Sequence, residues 1–93
     1  NAAAVGLHLK TALQHALGSL PGVKDVCGQG LMLGVELTKP CGVLVGRAAE
    51  AGLLISVTAD SVIRLVPPLI LTIAEADEIV ATLTPLVKAL LAQ

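Results

Sequence analysis

Apolar residues recur every fourth position at Val5, Leu9, Leu13 and Leu17, with Ala12 and Ala16 beside them. That spacing predicts a helix over residues 1–17 with one apolar stripe. The run Gly18-Ser19-Leu20-Pro21-Gly22 supplies a glycine end and a Pro-Gly turn, which stop the helix and reverse the chain. Residues 23–27 and 31–37 flank Gly28-Gln29-Gly30, where two glycines permit a tight or bulged hairpin, so both segments read as antiparallel strands. Residues 39–42 predict a loop, and residues 43–51 a short helix with Val43, Leu44, Ala48 and Ala51 inward and Gly52 as its stop. Residues 53–57 and 61–66 are aliphatic and β-branched and predict a second antiparallel pair across Thr58-Ala59-Asp60, ended by Pro67-Pro68.

Thr72 stands three residues before Glu75, a capping box that opens a long final helix. Glu75, Asp77 and Glu78 crowd its first turns and Lys88 lies near its end, as the helix dipole favours. Ile79, Leu83, Leu86, Val87, Leu90 and Leu91 form its apolar side, and Pro85 predicts a kink or a split. The order is α-β-β-α-β-β-α. The simplest layering that hides these faces is an α+β two-layer sandwich, a four-stranded, largely antiparallel sheet with helices on one face. Residues 1–93 read as a single domain without repeat, low-complexity tract or linker.

Composition sharpens this picture. The chain is 55% hydrophobic and 14% charged with no Phe, Tyr or Trp, so small aliphatic residues must build the whole core. Such a surplus exceeds what a small domain covers and predicts exposed apolar surface that meets a partner. With a start at Asn1 and not Met, the chain reads as a piece of something longer. Glu36, Lys39, Asp60 and Arg64 break every apolar run that might span a membrane. A net charge of −1, scattered basic residues and the lack of aromatic platforms argue against nucleic acid. Cys27 and Cys41, without Cys-x-x-Cys spacing, suit free thiols in a reducing, cytoplasmic setting.

Candidate chemistry is sparse. Arg64 is the single charge in the apolar run from Val62 to Leu71. A guanidinium keeps its charge and is costly to desolvate unless a carboxylate or phosphate meets its planar fork. Two readings follow: an anionic partner outside the chain, or a strand-end residue that snorkels to water or pairs with Asp60 or Glu36. Gly28-Gln29-Gly30 lacks the remaining features of a phosphate loop. His8 and His15 are about 10 Å apart along a helix, too far to share a metal. Neither cysteine has a neighbouring histidine, and Asp60 and Glu36 read as solvated or Lys39-paired carboxylates. The residues assemble no catalytic set, no cofactor-binding set and no metal site.

Three motifs in order carry a family likeness: Gly28 to Glu36, Gly52-Leu53-Leu54-Ile55, and Val62-Ile63-Arg64-Leu65-Val66-Pro67-Pro68-Leu69. They resemble the C-terminal small domain of class III pyridoxal-phosphate-dependent aminotransferases. With Lys39-Pro40-Cys41-Gly42 and Ser56-Val57-Thr58-Ala59-Asp60, the likeness within that class is to the acetylornithine type. The resemblance implies amino transfer between N-acetylornithine and 2-oxoglutarate in arginine biosynthesis. It also implies pyridoxal phosphate in the full-length enzyme with none bound by this segment, a large cofactor-binding domain as partner, and a homodimer. Lys10, Lys24 and Lys39 match no cofactor-lysine motif, so the resemblance puts the cofactor residues in the large domain. Only Arg64 carries over, as the substrate-binding residue that grips an amino or oxo acid carboxylate or is held by a large-domain glutamate. The alternative from the residues is a stand-alone, ferredoxin-like small-molecule-binding or dimerisation domain.

Overall fold

Helix α1 spans Ala2–Leu17, and the predicted stripe is the buried one. Leu9, Leu13 and Leu17 are fully buried and Val5 nearly so. The computed structural model describes residues 2–29, 32–65 and 71–92. After the turn at Gly22, where φ is 97°, β1 (Val23–Gln29) pairs antiparallel with β2 (Met32–Leu37), with a bulge between Val23 and Asp25. Strand β1 therefore runs through Gly28 and Gln29, two residues beyond the predicted end. Gly30 and Leu31 lie outside the described residues.

Helix α2 spans Val43–Glu50 and buries Leu44 and Ala48, one turn apart. Val43 and Ala51, expected inward, face out: Val43 sits about 100° round the helix from Leu44, and Ala51 is already the C-cap residue. Strand β3 is only Ser56–Thr58, and β4 is Val62–Leu65. The predicted strand over residues 53–57 is shorter because the Leu53 N–H is committed to the Ala48 carbonyl at 2.8 Å, closing α2. Leu54 has no ladder partner among the described residues and is 86% exposed. Val66 and the predicted stop at Pro67-Pro68 lie outside the described residues.

Helix α3 runs unbroken over Ile73–Leu91 with the full capping box: the Glu75 N–H donates to Thr72 Oγ1 at 3.1 Å and the Thr72 N–H to Glu75 Oε1 at 3.0 Å. Pro85 does not split it. Pro85 and Ala81, whose carbonyl loses its N–H donor, are both exposed, so water can serve the freed oxygen. Lys39 Nζ donates to the Leu90 carbonyl at 2.9 Å, placing a cation at the negative end of α3.

The sheet order is β1-β2-β4-β3 with every pair antiparallel. Alternation assigns the faces. Val26, Leu33, Val35, Leu37, Ile63 and Leu65 point into one core with the helix residues Leu9, Leu13, Leu17, Leu44, Leu83, Val87 and Leu90. Among the described residues the other face carries no helix. The result is the α+β two-layer sandwich expected from the element order. Among the described residues no polar or charged residue is buried, and no helix is long and apolar enough to cross a membrane.

Candidate functional site

The helix-free face of the sheet is where Arg64 stands. Ile63 and Leu65 are buried on either side of it in β4, so the period of two turns Arg64 outward. Register sets its neighbours. Cys27, Gly34, Arg64 and Ser56 form one row across all four strands, and Asp25, Glu36, Val62 and Thr58 form the next.

Gly34 opens a gap in the Arg64 row. A Cβ there would sit 3.4 Å from Cys27 Sγ and 3.8 Å from Val62 Cγ1, so the Cys27 thiol and the Val62 side chain edge a shallow step beside the arginine. On the other side Arg64 Nε donates to Thr58 Oγ1 at 3.3 Å. That is the one polar side-chain partner of Arg64 among the described residues. The internal pairings considered for it do not form. Glu36 lies 3.7 Å from Lys24, and the Asp60 carbonyl accepts from the Cys41 N–H at 2.7 Å while its side chain is exposed. The guanidinium is exposed on this face, with its two terminal nitrogens turned to no acid of the described fold.

The remaining candidates are placed as follows. His8 Nε2 meets Asp77 Oδ1 at 2.6 Å, joining α1 to α3, while His15 is exposed on the same helix. Both cysteines are free thiols, Cys27 exposed and Cys41 buried, and burial pushes the Cys41 thiol above its ordinary value. Among the described residues no cluster of three His, Cys, Asp or Glu side chains forms that might hold a metal. Sequence reasoning missed Thr58 and Gly34. Ser56-Val57-Thr58 does alternate outward-inward-outward, but only the hairpin register brings Thr58 next to Arg64.

Residues 1–87 match the family model described as aminotransferase class-III. Acetylornithine aminotransferase 1 of Bordetella bronchiseptica is 58% identical over 93 residues, all of this chain and 24% of the relative. The acetylornithine aminotransferase of Methanothermobacter thermautotrophicus is 40% identical over 82 residues, 88% of this chain and 21% of the relative. Among solved structures, the ornithine aminotransferase of Plasmodium yoelii superposes with a TM-score of 0.87 at 29% identity, covering 94% of this chain and 24% of that one. The chain thus spans about a quarter of the length of these proteins.

Proposed function

The chain belongs to the class III aminotransferase family, and from that premise we propose that it is the C-terminal small domain of a longer acetylornithine-type aminotransferase. The complete protein moves an amino group between N-acetylornithine and 2-oxoglutarate in arginine biosynthesis, as a cytoplasmic homodimer. The part of this segment is to supply Arg64. One observation carries the reading: a cation on β4 between two buried neighbours, with its terminal nitrogens unmatched by any acid among the described residues. Every substrate of the proposed reaction is a carboxylate, and a planar fork on a planar carboxylate both binds and orients it for transfer.

Pyridoxal phosphate supplies the electron sink for amino transfer when bound. On this reading the described residues leave its binding to another part of the protein. Lys10 and Lys39 donate to the carbonyls of Gly28 and Leu90, Lys24 meets Glu36, and no described charged residue is buried to receive a pyridine nitrogen or a phosphate. That role falls to the large domain, the partner that the surplus apolar surface at Leu54, Leu7 and Met32 also favours. The stand-alone ferredoxin-like reading draws no support from a likeness that extends over the entire chain.

The test is Arg64→Lys in the complete enzyme. A rise of about tenfold or more in KM for the amino or oxo acid is expected from loss of a charge-assisted, bidentate pair. Unchanged kinetics for both substrates overturn the assignment.

A further inference from the structure

Resting on that reading of Arg64, we propose that Thr58 is a positioning residue: it fixes the plane of the Arg64 guanidinium and reserves both terminal nitrogens for the substrate carboxylate. A guanidinium presents two forks to a planar anion, one from Nε with a neighbouring Nη and one from the two Nη groups. Thr58 Oγ1 accepts the Nε–H at 3.3 Å. The side fork is thereby closed and the end fork left open.

The hydroxyl is well placed for this. Ser56 lies directly opposite Arg64 and Thr58 opposite Val62, so Thr58 occupies the diagonal position on the same face, within reach of a long side chain. Its backbone is anchored as well. Ala59 and Asp60 turn the chain with φ of 50° and 65°, the Asp60 carbonyl is held by the Cys41 N–H at 2.7 Å, and the Ser61 carbonyl by the Leu37 N–H at 2.9 Å. A β-branched side chain on such a strand end has few rotamers, so the oxygen is a fixed point. Arginine has many more, and holding it before binding removes part of the ordering cost that the carboxylate would otherwise meet. The effect belongs to binding and not to the chemical step.

Steady-state kinetics on the complete enzyme separate the possibilities. Thr58→Val is expected to raise KM for the acid that Arg64 holds by about three- to tenfold, with kcat within about twofold, since one hydrogen bond to a charged group is lost. Thr58→Ser keeps the hydroxyl and stays within about twofold of the parent KM. Thr58→Ala repeats the valine result if valine perturbs folding. In the Arg64→Lys background, Thr58→Val adds nothing, because lysine lacks the Nε–H that Thr58 accepts. An unchanged KM in Thr58→Val, where Arg64→Lys does raise it, overturns the positioning role. So does an undiminished Thr58→Val effect in the Arg64→Lys background, which marks a structural contribution alone. If Arg64→Lys alters neither KM, the reading of Arg64 itself falls and takes this inference with it.

Discussion

The backbone N–H of Cys41 donates to the Asp60 carbonyl at 2.7 Å, tying the loop ahead of α2 to the turn that joins β3 to β4. Cys41 is fully buried, and that burial sets the chemistry of its thiol. The charged thiolate is the form that burial disfavours, so the folded-state pKa lies above the ordinary 9.0. The sign follows: the contribution to stability is fully present below the unfolded pKa and is lost as pH rises through the folded one.

Thermal unfolding followed from pH 8 upward should therefore show a fall in stability beginning above the unfolded value of 9.0, and Cys41→Ala should flatten that fall. Alkylation at pH 8 with mass detection gives a companion check. The exposed Cys27 is modified in the folded protein, while Cys41 reacts only after denaturant is added. Equal labelling of both thiols would contradict the packing described.

Glycine exchange in the β3–β4 turn and in strand β1 should act with opposite sign. Ala59 holds φ at 50°, so Ala59→Gly relieves a left-handed strain of about 1 to 2 kcal/mol, partly offset by the greater freedom of glycine in the unfolded chain. A gain of up to about 1 kcal/mol in denaturant unfolding is expected. At Gly28 an added Cβ would meet the Met32 carbonyl oxygen at 2.6 Å and Leu33 Cα at 2.9 Å, both backbone atoms of the paired strand. Gly28→Ala should cost about 1 to 3 kcal/mol, since a strand must shift to admit the methyl group.

Thr72→Ala removes the acceptor for the Glu75 N–H and the reciprocal geometry of the capping box at the start of α3. A loss of about 1 kcal/mol is expected, read as a lower denaturation midpoint at unchanged slope. Thr72→Ser, which keeps the oxygen, should recover most of it.

The three helices were readable from the residues because each writes its buried stripe at a period near four and each carries a glycine or capping signal at an end. Strand lengths were less readable. Residues 53–55 are as aliphatic as any strand, yet a strand exists only where another chain segment offers hydrogen bonds, and among the described residues the free edge of β4 pairs with Ser56–Thr58 only. Pro85 does not split α3: the residue whose carbonyl loses its N–H donor, Ala81, is exposed, so water can take the place of that donor.

For the site, the residues by themselves singled out Arg64, since one charge in an aliphatic run stands out whatever the fold. They left open whether Asp60 or Glu36 neutralised it. That question depends on distances between strands far apart in the chain, and only the β2-β4-β3 register answers it, setting Thr58 beside the guanidinium while Glu36 meets Lys24. Periodicity is a local property that a backbone enforces within a few residues. Who stands next to whom across a sheet is decided by pairing, which no single strand encodes.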